Sequence, residues 1–156
     1  ELGTLRPSRV EFIEDFRSST QYGTSTKKKS LIRYILGRIE ENNYPGQVAE
    51  RPIDDSISIE HILPQKPEQY WGMSEQEVKP FVHQIGNLVL VGQGFNSSAR
   101  NFDLARKILE LNKTAIKTTS DLLDQIESQE QLQWTRTNIE ERTNLLAELA
   151  FDELWA

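Results

Sequence analysis

Two stretches of this chain, and only two, carry β-type patterning, and about twenty residues of connection separate them. Residues 56–62 run Ser-Ile-Ser-Ile-Glu-His-Ile, so Ile57 and Ile59 share one face at period two. Leu88-Val89-Leu90-Val91 is apolar throughout, as suits a strand buried on both faces. Pro64 stops the first run, Gly86-Asn87 opens the second, and Gly92 and Gly94 permit a sharp excursion after it. A lone two-stranded hairpin is marginal in water. The rest of the chain looks like ordinary helical scaffold, so the fold class reads as mainly α, a helical scaffold around a two-stranded hairpin.

The helical pattern fills the rest. Ser8 can cap a helix running to about Ser19, with Phe12, Ile13 and Phe16 on one face. Residues 20–27 are rich in Thr, Ser and Gly and read as a loop. A second helix is predicted from about Lys28 to Asn42 through Leu31, Ile35 and Ile39, ended by Asn43-Tyr44-Pro45-Gly46. Its opening Lys27-Lys28-Lys29 reads as a solvated helix start rather than a phosphate contact. Ser74-Glu75-Gln76-Glu77 has the form of a capping box on a short helix. Asn101 is a plausible N-cap for a helix over 102–112 with Ala105, Ile108 and Leu109 inward. A helix at 121–128 follows Thr118-Thr119-Ser120. The last helix is predicted from Thr137, with Glu140 as capping-box partner, to about Trp155.

The chain's 156 residues set the size of one domain. Residues 1–27 read as a helix and loop closing a preceding region, and 28–156 as the functional domain, with its core at 56–112. The chain begins at Glu1 without Met and reads as part of something longer. It has no cysteine, which excludes disulfides, thiolate nucleophiles and cysteine-ligated zinc and fits a reducing cytoplasm. No apolar run approaches the roughly 20 residues of a membrane span. The net charge of -6 argues against a nucleic-acid partner, but its distribution does not. Residues 121–156 hold nine acidic and two basic side chains, which is -7, so the first 120 residues carry +1. Within 100–117 there are five basic residues against Asp103 and Glu110, enough for a local basic face.

The polar residues with chemical potential sit at the joints of the strand–strand–helix stretch. His61 ends the first run with Glu60 beside it. A lone histidine is more often structural than catalytic. An acid neighbour and a Pro-terminated turn favour a ring that points into a cleft, where an ordinary pKa of ~6.5 suits proton abstraction from water. Neighbours on a strand face opposite sides, so Glu60 and His61 would have to act from different directions. Glu60 and Asn96 offer oxygens to a hard cation such as Mg²⁺. By composition alone that signal is weak. Asn87 reads equally as a turn residue, Asn101 as an N-cap and Lys107 as a solvated lysine.

The set taken together is more specific. Ile59-Glu60-His61-Ile62-Leu63-Pro64-Gln65, then Gly86-Asn87-Leu88, then Asn96 nine residues after Asn87, resembles the HNH nucleases of ββα-metal fold. The start and the Asn…Asn spacing are similar to the HNH domain of RNA-guided CRISPR nucleases. A closer resemblance is to the C-terminal nuclease domain of GmrSD-type modification-dependent restriction enzymes. It rests on the His-x-x-Pro signature, Val82-His83-Gln84-Ile85-Gly86-Asn87-Leu88, Asn96-Ser97, Asn101, Lys107 and the Trp134, Ile139, Arg142 ending.

The resemblance implies a metal-dependent endonuclease of restriction or anti-phage defence, using Mg²⁺ or Mn²⁺ on DNA. It implies a catalytic set of His61 as general base, Asn87 fixing the loop that carries it, and Asn96. Glu60 and Asn96 would be the metal ligands, and Arg100, Asn101, Arg106 and Lys107 would meet the nucleic acid. It implies an N-terminal sensor or NTPase region as partner. His83 is given packing or loop anchoring and no chemistry. The alternative is a nuclease-like module that binds nucleic acid or protein and does not cut.

Overall fold

The computed structural model describes residues 6–46, 56–92 and 95–154. Two helices come first, α1 (Arg9–Ser19) and α2 (Thr26–Asn43). Strand β1 (Ser58–His61) and a four-residue helix α3 (Glu75–Val78) follow. A 3₁₀ turn at Ile85–Asn87 then leads into strand β2 (Leu88–Val91), and a second 3₁₀ turn spans Ser97–Asn101. Three helices close the chain: α4 (Leu104–Leu111), α5 (Lys117–Glu127) and α6 (Arg136–Leu149). The helix-dominated reading with one small hairpin holds. The mid-chain order of strand, strand and helix is the ββα core. None of the described helices is long and apolar enough to cross a membrane.

The hairpin is antiparallel, with Ser58 opposite Val91, Ile59 opposite Leu90, Glu60 opposite Val89 and His61 opposite Leu88. Alternation then sorts the core. Ile57, Ile59, Leu88 and Leu90 pack on one side with Phe16, Ile32, Ile35 and Ile39 from α1 and α2. Val89 and Val91 pack on the other with Ile108, Leu111, Leu123 and Ile126 from α4 and α5. Both faces of β2 are covered, which is why its four residues are all apolar. Each such aliphatic side chain contributes roughly 1.5–3 kcal/mol on burial. Register also fixes the chemistry: Glu60 lies on the α4 face with Val89, and His61 lies on the α1–α2 face with Leu88.

Helix starts show where local signals suffice. Ser8 caps α1 as expected and adds a capping box with Glu11, and Ser74 forms the expected capping box with Glu77. The last helix begins earlier than Thr137: Thr135 is its cap and Asn138, not Glu140, its capping-box partner. It ends at Leu149 in a wider turn over Ala150–Leu154, and Trp155 lies outside the described residues, as does Gly94. Asp103, not Asn101, caps α4, accepting from the Arg106 N–H at 3.1 Å. The α4 face is also rotated from expectation. Ala105 is exposed and Leu109 is 67% exposed, while Lys107, Ile108 and Leu111 are buried. Helix α5 starts at Lys117, where local sequence supplies no side-chain cap. Instead the buried Glu40 carboxylate, at the end of α2, accepts from the N–H groups of Lys117 (2.9 Å) and Thr118 (2.8 Å).

Helix α6 locks the turn before β2. Gly86 donates its N–H to Thr143 Oγ1 at 3.0 Å. A Cβ at Gly86 would collide with the Ile139 carbonyl oxygen and with Thr143. Arg142 donates from Nη1 to the carbonyls of Gly86 (2.8 Å) and Leu88 (2.7 Å), and burial lowers its pKa to about 10.

Candidate active site

Asn87 turns the helix-locked segment into a fixed loop around His61. It is fully buried. Its Oδ1 accepts from the Leu63 N–H (2.9 Å) and from Trp134 Nε1 (3.0 Å). Its Nδ2 donates to the carbonyls of Leu63 (3.0 Å) and Val82 (2.9 Å). Two lone pairs and two protons make a full complement for a side-chain amide. Asn87 therefore has no oxygen left for a metal and does not reach substrate. It pins the chain just beyond His61; the sequence reading, which put Asn87 in the catalytic set, gave it the fixing of the loop that carries His61.

A cavity of about 260 Å³ wraps the end of β1 and takes in Ile59, Glu60 and His61 together. The two polar residues face opposite sides of the strand, as alternation requires, yet both reach this space. Pro64, Gln65 and Lys66 line it too, as do Arg100, Asn101 and Lys107. A larger cavity of about 380 Å³ between α2, α5 and α6 contains neither histidine and is remote in kind from the chemistry.

Glu60 is 4% exposed and stands against cations. Arg100 Nη2 lies 3.3 Å from its Oε1. Burial raises its pKa, opposed by the charges of Arg100 and Lys107. Lys107 is 1% exposed, contrary to the expectation of a solvated lysine. Its Nζ donates to the Arg100 carbonyl at 2.6 Å. Burial lowers its pKa to about 8, against the opposing pull of Glu60. The lysine thus remains mostly charged near neutrality, and it ties the 3₁₀ turn to α4.

His61 is 6% exposed. Burial first, then His83, Lys107 and Arg100, lower its pKa to about 3. The imidazole is neutral across the neutral range. Tyr22, from the loop between α1 and α2, covers it edge-on with ring centroids 4.6 Å apart. His83 lies beyond, its Nδ1 3.3 Å from His61 Nε2. The sequence reading missed Tyr22. Its only signal was an aromatic residue stranded among small polar ones.

The remaining predicted residues divide. Arg100, Asn101 and Lys107 line the cavity with Glu60 and His61. Arg106 does not: it is exposed, 3.6 Å from Asp103 and over the Phe102 ring. Asn96 does not line it either. Its Oδ1 accepts from Ser98 N–H (3.0 Å) and Ser98 Oγ (2.8 Å), capping the 3₁₀ turn at the surface. Among the described residues no group of three or more His, Cys, Asp or Glu side chains converges as a cation site. The lining oxygens of the kind a hard, mostly hydrated cation takes are the buried Glu60 carboxylate and the side-chain amides of Gln65 and Asn101. Asn96, as placed, is committed elsewhere.

The model of one protein family, the C-terminal domain of GmrSD restriction endonucleases, matches residues 6–149. A comparison with curated proteins finds no match.

Proposed function

We propose, from the premise that the chain belongs to the family of GmrSD restriction endonuclease C-terminal domains, that it hydrolyses DNA phosphodiester bonds by HNH-type chemistry. One observation carries this reading. A single cavity holds a neutral, buried histidine, a buried carboxylate and three basic side chains, Lys66, Arg100 and Lys107.

His61 accepts the proton of the attacking water, and Asn87 keeps the loop beyond it from moving. Arg100 and Lys107 meet the phosphate, a contact that positions the backbone without reading sequence. Glu60 and Asn101 would hold Mg²⁺ or Mn²⁺, which supplies charge neutralisation on the phosphate and the leaving oxygen. The Arg100–Glu60 pair favours this too, because an arriving phosphate can draw the exposed guanidinium away and free the carboxylate. A sensor or NTPase region as partner and a restriction role in phage defence complete the proposal.

The same ion pair favours the rival, a module that binds nucleic acid and does not cut, since Glu60 is already answered by cations. Plasmid nicking with and without Mn²⁺, beside calorimetric Mn²⁺ titration, separates the two. His61→Ala is expected to lose at least 100-fold in cutting at unchanged Mn²⁺ affinity, and Glu60→Ala to lose both. A wild-type chain that shifts DNA in a gel but never nicks it would establish the rival.

A further inference from the structure

The hydrolysis proposed above uses one nitrogen of His61, and the other is engaged by a residue to which the sequence reading assigned no chemistry. His61 Nε2 lies 3.3 Å from His83 Nδ1. His61 lines the cavity and His83 does not, so Nδ1 is the His61 nitrogen left for the cavity once Nε2 meets His83. Tyr22 holds both rings. It meets His61 edge-on at 80° and lies within 17° of parallel to His83, and its N–H donates to the His83 carbonyl at 2.8 Å.

Two neutral imidazoles in contact share one proton, in one of two ways. In the first, His61 Nε2–H donates to His83 Nδ1, and His61 Nδ1 keeps its lone pair. In the second, His83 Nδ1–H donates to His61 Nε2. The His61 proton then sits on Nδ1, and neither of its nitrogens can take a proton from water. Only the first gives a base. His61 is 6% exposed, whereas His83 is half-buried, so in the first arrangement the remaining proton, on His83 Nε2, belongs to the ring with access to water.

We propose that His83 is a positioning residue: by accepting from Nε2 it holds His61 in the tautomer whose Nδ1 takes the proton of the attacking water. This rests on the nuclease reading for its purpose, but not for its test. The tautomer is read directly from the ¹⁵N shifts of the imidazoles in ¹⁵N-histidine-labelled protein, and the chain has only two histidines. The expected wild-type spectrum has the His61 proton on Nε2. His83→Phe keeps a flat ring beside Tyr22 and removes the acceptor, while His83→Gln restores an acceptor. His83→Phe is expected to show a mixed His61 tautomer and to cut roughly 10–100-fold more slowly, at unchanged Mn²⁺ affinity, with partial recovery in His83→Gln. A wild-type His61 protonated on Nδ1 overturns the proposal, and so does a His61 tautomer indifferent to His83→Phe. Both outcomes are legible even if the wild-type chain never cuts DNA, and the wild-type spectrum decides even if a variant fails to fold.

Discussion

The two asparagines that the sequence set side by side, Asn87 and Asn96, occupy opposite kinds of structure. Asn87 is buried, with four hydrogen bonds that reach Leu63, Val82 and Trp134, and helix α6 clamps the turn that carries it. Asn96 is exposed, and its amide oxygen serves only the next turn, two residues on. The His61 end of the cavity is preset by long-range packing. The Arg100 end is a self-capped surface turn tethered through Lys107. A site built this way keeps the histidine rigid and leaves the charged part freer to adjust.

The comparison breaks most severely at Gly86. With Ile139 and Thr143 where a Cβ would go, Gly86→Ala must push α6 off the turn. A loss of at least ~3 kcal/mol is expected, enough to unfold a marginal domain. Urea denaturation of the variant, against Gly72→Ala as a reference at a positive-φ turn with open space around it, measures it. A Gly86→Ala loss no larger than that of Gly72→Ala would mean that α6 does not clamp the turn.

The paired asparagines give the next effect. Asn87→Ala strands the Leu63 and Trp134 donors in the core, and a loss of about 2–4 kcal/mol is expected. Asn96→Ala removes only a local cap, about 0.5–1 kcal/mol. Plasmid cutting by a folded Asn96→Ala is expected to stay within tenfold of wild type, while Asn101→Ala loses more. If Asn96→Ala abolished both cutting and Mn²⁺ binding, the turn would have to rearrange to bring Asn96 to the cavity, as the original spacing implied.

Acid gives an effect below that of Asn87→Ala. The folded state holds the His61 pKa near 3, chiefly by burial, while the unfolded chain titrates near 6.5. Between those values the unfolded chain binds a proton that the fold refuses, so stability is full above pH 6.5 and falls as pH drops. From pH 7 to pH 5 this amounts to at most ~2 kcal/mol. His61→Gln is expected to lose correspondingly less over that interval in urea midpoints. Identical losses in both proteins would show that His61 protonates freely within the fold and that the His61 end is open. Activity, by the same shift, is not expected to fall near pH 6, where an unperturbed histidine would charge.

What the sequence made legible was periodicity and local capping. Ser8, Ser74 and the 88–91 run needed only their neighbours, and the structure bears them out. What it hid depends on partners far along the chain. The pattern turned Leu109 inward because it is apolar, but α4 instead buries Lys107, whose ammonium finds the Arg100 carbonyl. Asn101 looked like a cap because it stands near a helix start; Asp103 stands nearer and takes the role. Of the candidate site, Glu60, His61, Arg100, Asn101 and Lys107 were named in advance and share one cavity. Tyr22 was not, since nothing near residue 22 tells a reader that residues 61 and 83 will lie beneath it.

The Glu40 cap also couples two helix ends. Helix α5 takes its N-terminal acceptor from a residue 77 positions upstream. Its first turn therefore keeps that acceptor only while the end of α2 stays docked. Helices that carry their own capping boxes, α1 and α6, have no such dependence. Local opening at the end of α2 is expected to loosen the start of α5 with it.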